Sequence, residues 1–324
     1  MIKTNDIKII LIFIITSKVS FIEGIERFVE WAIVSNDGSL KSELFMSDNV
    51  NLSDFRYELW YEKNKRLFGK MKISIITVCY NSASTIKKTI ESVLSQTCDN
   101  IEYILVDGDS IDGTLDIIKE YEPKFNGRMK WICEKDNGLY DAMNKGIKIA
   151  TGDIIAILNS DDYYSNINVL EKVAEKFKDS NFDIVYGNIL YIQFYNKPYR
   201  YWKSGKSRTF KYGWMPPHPA FFVRKSVYEK YGLYRLDCGV NADYEMMLRL
   251  LEKNKLKSKW INEIFVHMNA GGTSNSGLKS RIDAFNDNNM AWSVNSIKKL
   301  IITNILKRLR KTPQYFMAIF YHYI

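Results

Sequence analysis

Two adjacent carboxylates, Asp161 and Asp162, directly follow an apolar run at residues 154–158. Apolar runs of this length are typical of buried strands in a parallel sheet, and open α/β sheets bind their ligands at the carboxyl ends of such strands. Two neighbouring buried acids repel each other and lose hydration, and a hard cation such as Mg²⁺ or Mn²⁺ removes that cost. The pair therefore predicts a metal site that also binds phosphate. A polar turn that begins a helix is the alternative.

Two more polar clusters stand at the ends of predicted strands, one at Tyr80-Asn81 and one at Asp107. We expect both to meet the acid pair at one edge of the sheet, where a nucleotide would lie. An acid at a strand end accepts a hydrogen bond from a base or a ribose, which makes Asp107 a candidate for nucleotide binding. An Asx-turn with its bend at Gly108 is the alternative. Because the chain has neither a P-loop nor a Gly-x-Gly-x-x-Gly motif, P-loop and dinucleotide enzymes are disfavoured.

The elements that must position these clusters follow from the spacing of apolar residues after Met71. Alternating strands and helices predict a parallel, three-layer α/β sheet, and beyond Gly187 the alternation gives way to an antiparallel region. Predicted strands lie at 73–79, 101–106, 129–133, 154–158, 183–186, 189–194, 199–202, 221–224 and 259–265. Predicted helices have apolar faces at Ile86, Ile90, Val93 and Leu94 and at Leu115, Ile118 and Tyr121, and they also lie at 139–150, 169–177 and 242–252.

Composition limits the class of protein. The 324 residues are 46% hydrophobic and 26% charged, as in a globular protein, and the net charge of +9 indicates anionic partners. That positive charge is diffuse and heaviest at the C-terminus, so a nucleic-acid-binding protein, which needs basic and aromatic residues on one face, is disfavoured. The four cysteines are widely spaced and resemble reduced thiols rather than a disulfide frame or a zinc site.

The chain divides into three parts by composition. Residues 1–70 contain no group of catalytic residues and are interpreted as an N-terminal extension of unknown role. Its apolar run Ile9–Ile15 is too short to span a bilayer and predicts a short buried element rather than an export signal. Residues 71–290 carry the α/β pattern. Residues 291–324 form a basic, amphipathic tail that predicts either contact with an anionic membrane surface or packing against the core or a second subunit.

A polar helix follows the third predicted strand. Asp141, Asn144 and Lys145 lie three and four residues apart and therefore share one helical face, with Asp136 just before them. An acid, an amide and a base on one face could bind the ribose and phosphates of a sugar nucleotide. A solvated helix flank is the alternative.

These motifs together resemble the family-2 glycosyltransferases, which have the GT-A fold. Residues 73–81 are similar to the family's first strand with its Tyr-Asn signature, and residues 107–114 and 136–146 resemble the "D-G-G-S-T-D-G-T" and "D-x-G-I-Y-D-A-M-N-K-G" motifs of a subgroup that makes bacterial surface polysaccharides. Residues 92–107 are similar to "S-V-L-x-Q-T … E-x-I-x-V-D", and residues 271–274 to "G-G-x-S". The similarity covers about residues 71–276. It implies an α/β, GT-A-type, mostly parallel nucleotide-binding sheet with flanking helices and a smaller antiparallel region on the acceptor side.

The resemblance assigns roles on the donor side. Thr77 and Asp107 would border the base, and Tyr80 and Asn81 belong to the same donor site. Asp161 would bind a Mn²⁺ or Mg²⁺ ion at the diphosphate, with Asp162 nearer the donor sugar. The chain departs from the commoner family pattern at two positions: Gly108 stands where many members have a second Asp, and Asn159 occupies the first position of the metal motif.

On the acceptor side, the resemblance assigns the base and the loop that faces the acceptor. An inverting transferase needs a carboxylate that takes the proton of the attacking hydroxyl. Residues 241–250 are similar to the family's "E-D-x-x-L-x-L-R" segment, which makes Asp243 the candidate base and Glu245 a fallback that we expect to point elsewhere. Trp214 and His218 would lie beside the acceptor, where Trp214 stacks on a sugar. A rigid Pro-containing turn with a buried Trp is the alternative.

The predicted function is therefore the metal-dependent transfer of a hexosyl or N-acetylhexosaminyl group from a UDP-sugar or GDP-sugar, with the UDP-sugar favoured. The resemblance implies a lipid-linked glycan acceptor in bacterial polysaccharide biosynthesis, and it predicts an enzyme at the cytoplasmic face of the plasma membrane. A nucleotidyltransferase acting on sugar phosphates remains the alternative, although such enzymes usually carry a Gly- and Arg/Lys-rich loop after the first strand, where this chain has residues 80–84.

Overall fold

The computed structural model describes residues 29–34, 40–45, 71–193, 197–269 and 287–321. The chain forms two compact units, Met1–Gly69 and Lys70–Ile324. In the first unit, strands β1 (Val29–Val34) and β2 (Leu40–Phe45) pair antiparallel. The predicted element at Ile9–Ile15 and the Gly-Gly motif at 271–274 lie outside the described residues.

The second unit is built on a sheet of nine strands, one half of which is parallel. This half has the order β5 (Met129–Cys133), β4 (Ile101–Asp107), β3 (Ile73–Cys79) and β6 (Ile154–Ile157). Every residue of β3 and β4 is buried, which explains their mostly apolar sequence, because helices cover both faces of a parallel sheet.

Four helices flank this half: α1 (Ile86–Leu94), α2 (Thr114–Tyr121), α3 (Leu139–Ile149) and α4 (Val169–Phe177). Their buried positions match the apolar faces expected from the helical period. The four parallel strands and the four helices agree with the sequence-based prediction to within a few residues.

Gly146 allows α3 to lie close to the sheet. A Cβ atom at this position would come 2.5 Å from Cγ2 of Ile76 in β3. Any larger residue would push the helix away from the strand, and the polar face of α3 would move with it.

The other half of the sheet is mixed. From β6 it continues through β10 (Phe221–Arg224), β8 (Ile184–Gln193), β11 (Ser258–Asn269) and β7 (Asp162–Tyr164), and β9 (Lys197–Trp202) pairs with β8. Only β8 and β11 run parallel to each other here. The predicted α/β class, with a parallel nucleotide-side half and a second region that contains antiparallel strands, is confirmed.

Three details differ from the prediction. The segments expected at 183–186 and 189–194 form the single strand β8, because the strand continues through the buried Gly187, where its register with β11 shifts, instead of ending there. Strand β7 was not predicted, since it has three residues and begins with the charged Asp162. The short helix α5 (Lys225–Tyr231) was also missed.

The C-terminal part of this unit is helical. Helix α6 (Ala242–Met247) continues as a π-helical turn at Leu248–Lys253. Residues 287–294 are helical, and α7 (Thr303–Leu309) and α8 (Thr312–Ile319) follow. Across the described ranges, no helix combines the length and the apolar character needed to cross a membrane.

Candidate active site

The acid pair lies in the loop that joins β6 to β7. Asp162 is fully buried, and its Oδ2 accepts a hydrogen bond from Asn159 Nδ2 at 3.1 Å. The Oδ1 atoms of Asp162 and Asn159 are buried without a hydrogen-bond partner in the described part of the chain. Burial raises the pKa of Asp161, and burial followed by the charge of Asp161 raises the pKa of Asp162 well above its usual range. The acid pair therefore has no positive partner among the described residues, and two of the oxygens in this loop have no hydrogen-bond donor.

The oxygen ligands of Asp161, Asp162 and Asn159 suit a divalent cation. Carboxylate and amide oxygens are the hard ligands that Mg²⁺ and Mn²⁺ prefer. Since no group of three or more His, Cys, Asp or Glu side chains converges on a metal position among the described residues, the cation would rest on Asp161, Asp162 and Asn159 together with the phosphates of a bound donor. His267 packs edge-on against Tyr163 with the ring centroids 5.2 Å apart.

Hydrogen bonds join the loops that follow β3, β4 and β6. Asn81, with a left-handed φ of 49°, donates its backbone N–H to Ser110 Oγ at 2.8 Å and accepts from the backbone of Ile111 at 3.0 Å. The hydroxyls of Ser82 and Ser160 lie 2.9 Å apart. The structure thus brings the three predicted polar clusters to one edge of the sheet, as strand ends of a parallel sheet require.

Tyr80 and Asp107 lie differently at this edge. Tyr80 is 64% exposed and free to stack on a planar ligand. Asp107 is fully buried, and its carboxylate accepts from the backbone N–H of Ser110 at 2.9 Å and from the thiol of Cys133 at 3.1 Å. The turn after Asp107 is not the Asx-turn with its bend at Gly108 that was the alternative, because the carboxylate bonds the N–H three residues on and the left-handed residue is Asp109, with a φ of 70°. The role of Asp107 toward a base stays a prediction.

Thr77 lies within the core of the sheet. Its side chain is fully buried, and its hydroxyl accepts a hydrogen bond from the Tyr103 hydroxyl at 3.0 Å. The Thr77 side chain therefore packs inside the core and does not line the edge where a base would bind. Side chains alternate between the two faces of a strand, and because all seven residues of β3 are buried, the sequence did not reveal which way Thr77 points.

The polar residues around α3 hold the preceding loop. Asp136 Oδ1 accepts from the backbone N–H of Gly138 at 2.8 Å, and Asp141 Oδ2 accepts from that of Asn137 at 2.9 Å. Lys145 forms ion pairs with Glu134 at 2.9 Å and with Asp141 at 3.7 Å. Asp136, Asp141 and Lys145 thus share one side of the cleft, and their contacts to a donor stay predictions.

Asn144 has a different role from the one expected. Its Nδ2 donates to the Tyr234 carbonyl at 2.9 Å, and its Oδ1 accepts from the Tyr234 N–H at 3.0 Å. Because both ends of the buried amide are used, Asn144 holds the backbone of Tyr234 and is not available to a donor in this conformation. Helical spacing alone did not distinguish a ligand contact from this clamp.

Asp243 stands at the start of α6 with a defined orientation. Its Oδ1 lies 3.1 Å from the Tyr140 hydroxyl and accepts from the backbone N–H of Tyr244 at 2.7 Å. Tyr140 packs on Tyr234, with the ring centroids 5.5 Å apart. Helix α3 thus holds the candidate base through Tyr140, and Asn144 supports that tyrosine through Tyr234.

Glu245 points away from this cleft. It is fully buried, pairs with Arg249 at 3.1 Å and accepts from Asn295 Nδ2 at 3.0 Å. A carboxylate held by an arginine and an amide is a structural group, so it is unsuited to act as a base. This agrees with the expectation that the Glu245 side chain points away from the candidate base.

The loop between β9 and β10 contains His218 and Trp214. His218 Nε2 lies 2.7 Å from the Tyr234 hydroxyl, and burial lowers its pKa while the charge of Asp243 opposes that shift. Trp214 is buried, donates from Nε1 to the Ser204 carbonyl at 2.8 Å and packs against Phe210. The expectation that Trp214 stacks on a sugar is therefore corrected: its ring belongs to an aromatic core cluster, as the alternative reading had it.

Tyr191 links the two acidic sides of the cleft. Its pKa is raised by burial first, lowered by the positive charge of Arg200, and raised by the charges of Asp162 and Asp243. Both carboxylates thus act on the same hydroxyl group. Strand pairing places Asp162 opposite Met268 and Met268 beside Tyr191, so the acid pair lies close to this residue.

The sequence did not predict two of the side-chain contacts at this site. Tyr140 and Asp243 are separated by 103 positions, and Ser82 and Ser160 by 78. Tyr140 lies inside the 136–146 motif, but nothing local marks it as the partner of the base. Only the pairing of α3 with α6 brings these residues together.

Comparison with known proteins identifies the family. The model of "Glycosyl transferase family 2" matches residues 74–232. A "PGL/p-HBAD biosynthesis glycosyltransferase" of Mycobacterium bovis (strain BCG / Pasteur 1173P2) is 30% identical over 215 residues, which cover 62% of this chain and 78% of that protein. An uncharacterized glycosyltransferase of Mycobacterium tuberculosis (strain CDC 1551 / Oshkosh) is 32% identical over 193 residues, which cover 55% of this chain and 68% of the relative.

Solved structures share the fold. The mannosyltransferase PcManGT from Pyrobaculum calidifontis, in complex with GDP-Man and Mn²⁺, superposes with a TM-score of 0.54 at 16% identity and covers 79% of this chain and 77% of its own. Residues 1–349 of S. aureus TarS, in complex with UDP-GlcNAc, give 0.51 at 17% identity and cover 73% and 69%. The expected GT-A architecture is confirmed. The chain belongs to glycosyltransferase family 2, and its activity is that of a glycosyltransferase.

Proposed function

We propose that the protein transfers a hexosyl or N-acetylhexosaminyl group from a nucleotide-sugar to an acceptor hydroxyl, with inversion at the anomeric carbon. The observation that supports this proposal is the orientation of Asp243 at the start of α6, where its Oδ1 lies 3.1 Å from the Tyr140 hydroxyl. In the proposed site, Asp161 and Asp162 hold the leaving group on the opposite side of the donor sugar. A carboxylate that faces the leaving-group site across a shared cleft is what a single displacement needs.

In the proposed reaction, Asp243 takes the proton of the acceptor hydroxyl. The hydroxyl oxygen forms a bond to the anomeric carbon while the bond from that carbon to the diphosphate breaks, and the nucleoside diphosphate leaves. General base catalysis of this kind contributes about 10²–10⁴-fold. Tyr140 keeps the carboxylate in place, and the buried His218–Tyr234 pair borders the acceptor side.

A divalent metal, Mn²⁺ or Mg²⁺, would be held by Asp161 and Asp162 with the amide oxygen of Asn159. When bound, it neutralises the charge that develops on the leaving diphosphate. The two unpartnered oxygens of the acid loop support this assignment. The neutral amide in the first position would bind the cation more weakly than a third carboxylate.

The proposed donor is a UDP-sugar, with a GDP-sugar as the second choice. Tyr80, Asn81, Asp107 and Asp136 border the edge where the base and ribose would lie. Solved structures of the same fold contain UDP-GlcNAc or GDP-Man, so the fold accepts either base. The exposed ring of Tyr80 offers a stacking surface for uracil or guanine.

The proposed acceptor is a lipid-linked glycan of bacterial polysaccharide biosynthesis, and the proposed location is the cytoplasmic face of the plasma membrane. The C-terminal tail supports this, because its outer surface is apolar and is flanked by lysines and arginines. Ile301 is 95% exposed, and the other exposed apolar residues of the tail are Leu300, Ile302, Ile305, Leu309, Tyr315, Phe316, Ile319 and Phe320. Such a surface fits an anionic membrane.

The test combines donor screening with a change at the base. Release of free UDP or GDP is measured with a set of nucleotide-sugars and a lipid-phosphate extract as acceptor. Asp243→Asn should abolish transfer while UDP still binds in the presence of Mn²⁺. Near-normal turnover of this variant would remove Asp243 as the base.

A further inference from the structure

Helix α1 carries polar side chains on the side that packs against the rest of the protein. Thr89 and Ser92 lie three residues apart on this helix, and Gln96 follows four residues later, just past its end. Thr89 is 1% exposed and Gln96 8% exposed, among apolar neighbours. Buried polar groups must find hydrogen-bond partners, because an unpaired one destabilises the fold. We refer to these three side chains as the helix stripe.

The helix stripe hydrogen-bonds to the backbone of the segment that begins with the acid pair. Its members contact every second residue of that segment: Thr89 Oγ1 donates to the Asp162 carbonyl at 2.7 Å, Ser92 Oγ accepts from the Tyr164 N–H at 3.2 Å, and Gln96 Nε2 donates to the Asn166 carbonyl at 2.8 Å. Three or four helical residues rise about 5–6 Å, and two residues of a strand about 6.6 Å. The two repeats therefore match, and α1 holds this segment residue by residue.

The acid loop is also held from two other directions. Asn269 Nδ2, at the end of β11, donates to the Asp161 carbonyl at 2.8 Å, and the Ser82 hydroxyl, from the loop after β3, lies 2.9 Å from that of Ser160. The helix stripe holds Asp162, the next residue. Three successive residues of the loop are thus each bound by a side chain from a different element.

The acid pair needs this support because its charges oppose the observed conformation. Asp162 is fully buried, and its Oδ1 has no hydrogen-bond partner among the described residues. Two neighbouring carboxylates repel each other and are better solvated in water, so a loose turn would let Asp162 move outward. The hydrogen bond from Thr89 to the Asp162 carbonyl opposes that movement. Ligands that are already ordered bind a cation more tightly, since less ordering remains to be done on binding.

We propose that Thr89 is a positioning residue for the metal-binding acids, and that its hydroxyl, with the rest of the helix stripe and Asn269, keeps the acid loop in the conformation that binds the divalent cation. This inference rests on the proposed function, which assigns the cation to Asp161 and Asp162. Thr89 acts through the backbone of Asp162 rather than through a contact with the cation.

The test compares UDP binding in EDTA and in Mn²⁺, by calorimetry on the full chain. Thr89→Val has nearly the same shape but cannot donate to the Asp162 carbonyl, so it should lower the gain in UDP affinity from Mn²⁺ about tenfold, as expected for a side chain that orients a metal ligand. The UDP affinity in EDTA should stay at the wild-type value. Thr89→Ser, which keeps the hydroxyl, should keep most of the gain.

Thr97→Val is the matched control. The Thr97 hydroxyl lies 3.2 Å from the Ile167 carbonyl and 2.9 Å from the Glu171 carboxylate, so this variant loses a contact with the same segment beyond the acid pair. It should keep the wild-type gain from Mn²⁺, and any effect on stability should appear only as a lower Tm. Ser92→Ala should lower the gain less than Thr89→Val does, because its partner Tyr164 is further from the acids.

Three results would overturn the proposal. One is a full gain from Mn²⁺ in Thr89→Val that is folded by circular dichroism, and another is an equal loss of the gain in Thr89→Val and Thr89→Ser. Where Thr89→Val does not fold, an unchanged gain in Ser92→Ala is the third. Failure of the proposed metal site is distinct, because the wild-type protein would then bind UDP equally well in EDTA and in Mn²⁺.

Discussion

The carboxylate of Asp136 occupies the space that a side chain at Gly108 would need. Its Oδ2 lies 2.6 Å from the position of a Cβ atom on Gly108, and the carboxylate also holds the N–H of Gly138. The commoner family pattern has an acid at position 108, which this chain lacks. In this chain, Asp136, from the loop after β5, places a carboxylate next to that position.

Gly108→Asp should weaken UDP binding about tenfold, which corresponds to about 1.4 kcal/mol, because a second carboxylate would be forced against Asp136. The steric conflict alone is small, since Asp136 can swing away, so repulsion is the main cause. Adding Asp136→Ala to Gly108→Asp should recover most of the affinity in the same titration. Wild-type affinity in the single variant would contradict this relationship.

Asp161→Ala should remove the gain in UDP affinity that Mn²⁺ provides, because the variant loses the more accessible carboxylate of the acid loop. The measurement is the ratio of UDP dissociation constants with EDTA and with Mn²⁺, which should fall to about one. Asp116→Ala, at an exposed position of α2, is the matched control and should keep the wild-type ratio. An unchanged ratio in Asp161→Ala would mean that the paired acids only form a turn.

Tyr140→Phe should lower kcat about tenfold while the affinity for UDP stays the same. The variant removes the hydroxyl 3.1 Å from Asp243, so the carboxylate keeps its charge and its bond to the Tyr244 N–H but is held less firmly. Steady-state kinetics and a UDP titration check the two parts. A lower affinity for UDP with unchanged kcat would instead make Tyr140 a donor-binding residue.

Lys307→Met should stabilise the protein in a pH-dependent way. The pKa of Lys307 is lowered to about 7 by burial, whereas in the unfolded chain it is about 10.4. Between these values the unfolded chain binds a proton that the folded chain does not, so wild-type stability rises with pH. The gain in Tm from Lys307→Met should therefore be largest below pH ~7 and shrink toward pH ~10. A constant difference over this range would contradict the burial of the ammonium group.

The sequence predicted the parallel half of the sheet and the acids at its strand ends. Both depend on local information, because an apolar run such as residues 154–157 specifies a buried strand, and chain polarity then puts Asp161 at the carboxyl edge. Asp243 was placed by its motif at a helix start, where α6 does begin. The prediction failed at Gly187, because Gly187 and Asn188 interrupt the apolar residues of β8 and indicated a break, although both lie within the strand.

Tertiary structure alone decided what the polar side chains contact. Asn144 was expected to bind the donor but hydrogen-bonds to the backbone of Tyr234, and Trp214 was expected to stack on a sugar but is buried in an aromatic cluster. Tyr140 meets Asp243 across 103 positions, and Arg200 meets the tail across 114. Such pairs depend on how helices and strands pack, and the spacing of residues along one element carries no information about the element that will lie against it.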